Sequence, residues 1–451
     1  MPLDRASREP LHRQLSRGLR EAVRDGRLDA GAPLPSSRAL AAQLGLSRGI
    51  VVEAFEQLVA EGYLVARPGG ATRVAEGAGS TAPPPRDLEP TTYRFDFRPG
   101  RPDVTEFPRA AWVRSLRRAL AEAPADRLSY LGGRGVPELR VALASYLNRV
   151  RGTAADPADV VISSGFAQGL GLVASVLAAR GGRRFALEDP FDPEYRAIVH
   201  AGRLEPVAIP VDSDGILVDR LGAAGVDAVL VTAAHQYPTG AVLSPARRAA
   251  LLAWARATGG LVVEDDYDAE FRYDREPIGA LQGLAPSSVV YAGSASKTLA
   301  PGLRLGWLVA PPEIAAALTL AKEAVDQGSP ALDQLTYADL LEHGEVDAHL
   351  RRMRPIYRRR RDALLASLAR HLPDLEPVGA SAGLHVLAYL PDGLDEARIV
   401  RTAAEAGIAV SGLTPRRIAP GRVGLVFGYG LITEPAIEAA VERLAPVIRG
   451  H

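Results

Sequence analysis

Apolar positions recur at helical spacing through the first 76 residues. Leu11, Leu15, Leu19 and Val23 fall every four residues and predict a helix over Leu11–Arg24. In Pro35-Ser36-Ser37-Arg38, either Ser36 or Ser37 is placed to cap a helix over Ala39–Leu44. Gly45-Leu46-Ser47 breaks that helix. Another is predicted from about Arg48 to Glu61, with Val51, Val52, Phe55, Leu58 and Val59 on its apolar face. Gly62-Tyr63-Leu64-Val65 then begins a ribbon that turns at Pro68-Gly69-Gly70 and returns through Thr72-Arg73-Val74. Two short helices about a glycine-containing turn, followed by a hairpin, describe a winged helix-turn-helix over residues 1–76.

Patterning stops at Gly77–Pro90, GAGSTAPPPRDLEP, which reads as a semi-rigid linker over residues 77–94. From residue 95 to 451, apolar runs of strand length alternate with amphipathic helices, the pattern of an α/β fold. Val160–Ser163 precedes a helix from Phe166, Leu261–Glu264 follows a helix around Leu251–Ala257, and Val289–Ala292 leads into a serine-rich turn. From about Pro377 to residue 451 the strands shorten, as in Leu384–Leu390 and Val423–Phe427, and predict a small α+β subdomain. The alternative is one large α/β domain with an extended tail. No internal repeat is present.

Composition narrows the function classes. With 451 residues, 47% hydrophobic and 24% charged, the chain is long enough for two or three ordinary globular domains. It has no cysteine, which excludes disulfides, cysteine-ligated zinc, iron–sulfur clusters and thiol catalysis. Lys plus Arg number 53 against 53 Asp plus Glu, so no global field draws the chain to nucleic acid or membrane. Asp4, Arg5, Arg8 and Glu9 stand where a signal peptide needs an apolar core, and no apolar run is long enough to span a bilayer; the expectation is a soluble cytoplasmic protein with no membrane partner. Lys297 and Lys322 are the only lysines in a chain that otherwise uses arginine.

Three constellations carry chemistry. In a helix-turn-helix the second helix enters the major groove, and its first residues here are Ser47, Arg48 and Gly49. Arg48 suits a bidentate contact to guanine, Arg38 a phosphate, and Gly69 and Gly70 close approach of the wing. The net charge of 1–76, 11 Arg against 9 Asp plus Glu, adds little, and a small helical docking domain is the competing reading. Lys297 lies in Gly293-Ser294-Ala295-Ser296-Lys297-Thr298, and a lysine in such a turn serves either as a phosphate point charge or as a Schiff-base amine. With Ser294 and Ser296 as hydroxyl donors and Arg304 as a charged fork, the set suggests pyridoxal 5'-phosphate; an ordinary surface lysine is the alternative. Leu261–Tyr267, LVVEDDY, is a buried-looking strand ending in carboxylates and a phenol, where Asp265 suits a pyridinium nitrogen and Tyr267 a phenolic oxygen. Val160–Gln168 runs from strand through a small turn into a helix whose first amides suit a phosphate. No metal site is expected.

The segment LPSSRALAAQLGLSRGIVVEAFEQLVAEGYLVARPGG resembles the GntR-type winged helix, with Gly49-Ile50 where relatives carry polar residues. HQYPTG at His235–Gly240, EDDYDAEFRY at Glu264–Tyr273 and SASKTLAPGLRLGWLV at Ser294–Val309 resemble fold type I aminotransferases, and the whole chain is similar to the MocR/GabR regulators. The resemblance implies a Schiff base at Lys297, Asp265 as the pyridinium partner, Tyr267 on the phenolate, and a phosphate cup of Arg304, Ser294, Ser296 and the amides of Phe166 and Ala167. Tyr237 stands where aminotransferases have asparagine. Arg196 matches an arginine that meets an effector's carboxylate in some relatives. The usual substrate-carboxylate arginine is replaced by Gly424, with Arg422 two residues out of register. The resemblance further implies double-stranded operator DNA, an amino-compound effector or pyridoxal phosphate itself as signal, and a homodimer with exchanged winged helices. A working aminotransferase carrying a docking module is the rival. A hydrolase-like enzyme ranks last, because no Gly-x-Ser-x-Gly elbow is found.

Overall fold

A computed structural model describes residues 3–66, 71–76, 93–273 and 278–450, and the chain divides into two compact units, Met1–Thr91 and Thr92–His451. In the first, α1 (Leu11–Arg24), α2 (Ser37–Leu44) and α3 (Arg48–Ala60) precede an antiparallel ribbon of β1 (Leu64–Val65) and β2 (Arg73–Val74). Ser36 caps α2, its Oγ accepting from Ala39 N at 3.2 Å. The helix stops at Gly45, with φ 63°, and Leu46 N returns to Ala41 O at 2.9 Å. Leu15 and Val23 of α1 share a core with Val51, Ala54, Phe55 and Leu58 of α3. Val59 is exposed and Val52 half-buried, unlike the sequence expectation, because the helical period turns them to the flanks and gives Ala54 the inner position. The turn expected at Pro68-Gly69-Gly70 lies outside the described residues, as does the expected linker as far as residue 92.

The second unit opens with β3 (Phe95–Asp96), α4 (Arg109–Glu122) and α5 (Pro137–Arg151). A strand–helix succession follows: β4 (Val160–Ser163), α6 (Phe166–Ala179), β5 (Arg184–Asp189), α7 (Pro193–Ala201), β6 (Glu205–Asp212), β7 (Gly215–Ile216), α8 (Asp219–Ala224), β8 (Ala228–Val231) and α9 (Pro245–Thr258). Next come β9 (Leu261–Asp265), β10 (Val289–Ser294), the short α10 (Ala295–Thr298) and β11 (Gly306–Val309). The sheet order is β4-β11-β10-β9-β8-β5-β6-β7. Neighbours from β10 to β6 are parallel, and β11 is antiparallel to both β10 and β4, so β4 points with the parallel set. β4, β8 and β9 are buried at every residue, which explains their unbroken apolar runs: helices cover both faces. Leu187, Leu230 and Val263 pack with α6 on one face, while Ala186, Val229 and Val262 pack with α9 on the other. The carboxyl ends of β4, β5, β8, β9 and β10 therefore share one edge, where open α/β sheets take ligands.

Then come α11 (Pro312–Asp326), α12 (Ala331–Glu342) and the long α13 (Glu345–His371). The chain ends in β12 (Glu376–Val378), β13 (His385–Tyr389), α14 (Glu396–Glu405), β14 (Ile408–Ala409), β15 (Ser411–Gly412), β16 (Gly424–Gly428) and α15 (Glu434–Arg449). An antiparallel sheet of order β12-β13-β16-β15 forms the smaller α+β layer read from the sequence, rather than an extended tail. β3 pairs in parallel with β14, Phe95 N donating to Gly407 O at 3.0 Å and Phe97 N to Ala409 O at 2.8 Å. Among the described residues, no helix is long and apolar enough to cross a membrane.

Candidate DNA-reading face and cofactor cavity

Ser47, Arg48 and Gly49 at the start of α3 are exposed, as is Arg38 on α2. The Arg48 Nε donates to Ser37 Oγ at 3.4 Å, which orients the guanidinium while leaving both Nη groups unshared among the described residues. Ser47 precedes α3 without using its hydroxyl as a cap, so that hydroxyl also remains available. The preceding turn is braced by Arg5, whose Nη2 donates to Gly45 O at 2.7 Å. Gly69 lies outside the described residues.

In the second unit, a cavity of about 790 Å³ opens at the carboxyl edge of the large sheet. Lys297, Asp265, Tyr267, Arg304, Ser294, Ser296, Phe166, Ala167 and Tyr237 all line it. Asp265 ends β9 and Ser294 ends β10, two parallel neighbours, and α10 carries Ser296 and Lys297 immediately beyond. Asp265 is buried, and among the described residues no hydrogen-bond donor meets its carboxylate. Burial, then the neighbouring Asp266, pushes its carboxyl well above the usual range, against the pull of Lys297. Burial likewise lowers the Lys297 ammonium, although Asp265, Asp268 and Asp192 oppose it. Both groups are thus driven toward their neutral forms, and a neutral amine is the nucleophilic one. Gly100, at φ 77°, lies against this amine: a Cβ there would sit 3.4 Å from Lys297 Nζ.

The turn before α6 has the shape of an anion cradle. Gly165, at φ 103°, starts the helix without a side-chain cap, and the amides of Phe166 and Ala167 have no backbone partner among the described residues. Arg304 comes from the far side of the turn and donates from Nη2 to Ser164 O at 2.5 Å. A Cβ on Gly165 would lie 2.9 Å from that Nη2, and at φ 103° any side chain would also strain the backbone. Free helix-start amides, hydroxyls and a guanidinium suit a phosphate, while a buried carboxylate lacking a donor suits a protonated ring nitrogen. This donor set fits pyridoxal phosphate.

The sequence-predicted arginines fare differently. Arg422 is outside the cavity: it pairs in the open with Glu376 at 2.6 Å and stacks 4.0 Å from the centre of the Tyr389 ring. Its position on the exposed rim of the small sheet removes it from the effector set. Arg196 on α7 is also absent from the lining and donates to Pro415 O at 3.4 Å. Gly424 is buried in β16, where a Cβ would lie 2.9 Å from Ala388 O, so an arginine there would require β13 to move. A further guanidinium in the lining is that of Arg416, which sequence spacing did not reveal. It donates from Nε to Tyr237 Oη at 2.9 Å and from Nη1 to Gly412 O at 2.7 Å, leaving Nη2 unshared among the described residues. Arg98 and Arg101, also in the lining, are both engaged by Asp96.

A buried ion pair sits behind Tyr267. The His235 ring meets Asp268 Oδ2 through Nδ1 at 3.0 Å and Gly379 O through Nε2 at 3.1 Å, an acceptor on each side, which favours the doubly protonated ring. Burial alone would lower its pKa, but Asp268 outweighs that and raises it. The neighbouring His385, its ring centre 4.8 Å away, is held neutral by burial and by His235. The Tyr267 hydroxyl donates to His235 O at 3.0 Å, an engagement the sequence did not indicate. These histidines and Asp268 come from separate elements; only the HQYPTG block hinted at His235.

Residues 11–74 match the bacterial regulatory proteins of the gntR family, and residues 102–444 match aminotransferase class I and II. The chain is 32% identical to the pyridoxine biosynthesis transcriptional regulator PdxR of Corynebacterium glutamicum, over 96% of this chain and 95% of that protein. It is 31% identical to the probable rhizopine catabolism regulatory protein MocR of Rhizobium meliloti, over 98% and 94%. The chain belongs to the MocR family of transcription regulators. As in other MocR-type proteins, its large unit has the aminotransferase fold, which is pyridoxal-phosphate-dependent. That unit is similar to the multiple substrate aminotransferase of Thermococcus profundus, with a TM-score of 0.73 and 26% identity over 80% of this MocR-family chain and 93% of the other.

A group whose folded pKa is raised stabilises the fold below its unfolded value, about 6.5 for histidine, and loses that contribution as pH rises through the folded value. Thermal unfolding of His235→Gln beside the unaltered chain should therefore show a gap in Tm that is widest in mild acid and narrows toward alkaline pH. A gap independent of pH would contradict the doubly protonated ring.

Proposed function

We propose that this regulator senses an amino compound, or pyridoxal 5'-phosphate itself, in the unit 95–451 and reports it to the winged helix 1–76 through the linker 77–94. The observation that carries the reading is the half-buried Lys297 amine in one cavity with an Asp265 carboxyl and helix-start amides that lack partners among the described residues, on a chain whose α3 has an exposed start. When bound, pyridoxal phosphate supplies an aldehyde that captures primary amines as Schiff bases. Lys297 Nζ is the amine of this chain suited to hold it. Asp265 would keep a proton on the ring nitrogen, and Arg304, Ser294, Ser296 and the amides of Phe166 and Ala167 would hold the phosphate. Tyr237 and Tyr267 would flank the ring.

Arg416 supports an effector that bears an acidic group as well as an amine, because its Nη2 is left unshared while Tyr237 and Gly412 fix the rest of the guanidinium. Neither Arg196 nor Arg422 is needed for this reading. Arg416 follows β15 in the small C-terminal layer, so an effector gripped there would draw that layer toward the large sheet. The β3–β14 pairing ties the residues just after the linker to the same layer, which supports a mechanical route from cavity to linker. An effector shifts DNA binding only as far as it binds the two arrangements unequally. A homodimer with exchanged winged helices belongs to this reading.

Borohydride reduction should fix the chromophore to the unaltered chain and fail in Lys297→Ala; an adduct retained on another residue would refute the lysine assignment. Arg48→Ala should weaken binding to operator DNA by about 1–3 kcal/mol and relax base preference. Anisotropy titrations against matched and altered operators check this, and unchanged affinity and selectivity would remove Arg48 from the reading set.

A further inference from the structure

Of the two lysines, Lys297 belongs to the cavity, and the other has no place in the account so far. Lys322 lies on α11 and is 0% exposed. Its Nζ donates to both oxygens of Asp326, at 2.7 and 2.6 Å. Asp326 also accepts from Gly328 N at 2.9 Å and from Gln168 Nε2 at 2.7 Å. Gln168 in turn accepts from Ser164 N at 2.7 Å through its Oε1. Ser164 is the residue whose carbonyl takes Arg304 at 2.5 Å, directly before Gly165 and the free amides of α6. Its peptide groups are thus pinned from both sides, by Arg304 through the oxygen and by the Lys322–Asp326–Gln168 relay through the nitrogen.

We propose that Lys322, acting through Asp326 and Gln168, positions the turn 164–167 to receive the phosphate end of the cofactor, an inference that rests on reading this turn as the phosphate cup. The amide of half-buried Gln168 is ordered by what its other end meets. Here a carboxylate takes the Nε2 protons and so obliges Oε1 to face Ser164 N. Burial opposes charge on Asp326, but hydrogen bonds from Lys322, Gly328 and Gln168 outweigh it and hold the carboxyl below its usual range. The Lys322 ammonium is wholly buried while Asp326 stays partly exposed, and a buried cation without its carboxylate would be costly, which locks the two together. The compact ammonium meets both oxygens end-on, where the broader guanidinium has a different geometry. That requirement accounts for a lysine persisting in a chain whose other basic residues, Lys297 aside, are arginine.

The test compares two probes on the full-length chain freed of cofactor: pyridoxal 5'-phosphate and pyridoxal, which differ only in the phosphate. The unaltered chain should bind the phosphorylated form more tightly. Gln168→Met and Lys322→Met should each lower affinity for pyridoxal 5'-phosphate about tenfold while leaving pyridoxal unchanged, so the preference between the two collapses. Gln168→Met removes no buried charge and serves if Lys322→Met does not fold, as judged by thermal unfolding. Equal losses for both probes would mean a general packing role and overturn the proposal, as would an unaltered preference. If the unaltered chain shows no preference for the phosphorylated form, the phosphate-cup reading itself falls.

Discussion

Asp265 ends β9 with Asp266 beside it and lines the cavity, its carboxyl pushed by burial toward the neutral form and met by no donor among the described residues. The strand places it there because β9 is central in a sheet covered on both faces, so its last residue meets the carboxyl edge rather than solvent. Everything around the cavity answers to that group. Lys297, one strand over, is the cation nearest in purpose but is itself pushed toward neutrality by burial. In the proposed reading a protonated pyridine aldehyde would meet both groups, its ring nitrogen at Asp265 and its aldehyde at Lys297.

The fold was legible where its cause is local. β4 matches the predicted Val160–Ser163, and α1 matches Leu11–Arg24, because burial on both faces and a four-residue repeat each leave a direct trace in the sequence. The cavity residues that follow strand ends were found for the same reason, since strand, turn and helix are consecutive along the chain. Arg416 was not found: its partner Tyr237 is 179 residues away, and only the docking of the small layer brings them together. Arg422 is close to Gly424 in sequence, yet it precedes β16 and pairs with Glu376 at the surface. The His235–Asp268 pair was hidden similarly, because a histidine's protonation depends on the carbonyl of Gly379, which lies in a different layer.

The large and small layers of the second unit meet across these same groups. His235 reaches Gly379 O, and the Asp189 carboxylate accepts from Ile418 N and Ala419 N at 2.8 and 2.9 Å. These polar, directional contacts sit beside a continuous apolar core that holds residues of both layers. In the proposed reading, a ligand bridging Lys297 on one side and Arg416 on the other would signal only if it bound two arrangements of the layers unequally. Such a ligand need not be turned over for the signal to pass.

The central claim is that DNA binding and cofactor binding are coupled in one chain. Fluorescence anisotropy of labelled DNA from upstream of its own gene, at fixed salt and with random DNA as competitor, measures this directly; salt must be fixed because phosphate contacts make affinity steeply dependent on it. The account predicts saturable binding that outcompetes random DNA and an affinity that changes when pyridoxal 5'-phosphate is added. Specific binding of identical affinity with and without the cofactor, or no specific binding in either state, would contradict it.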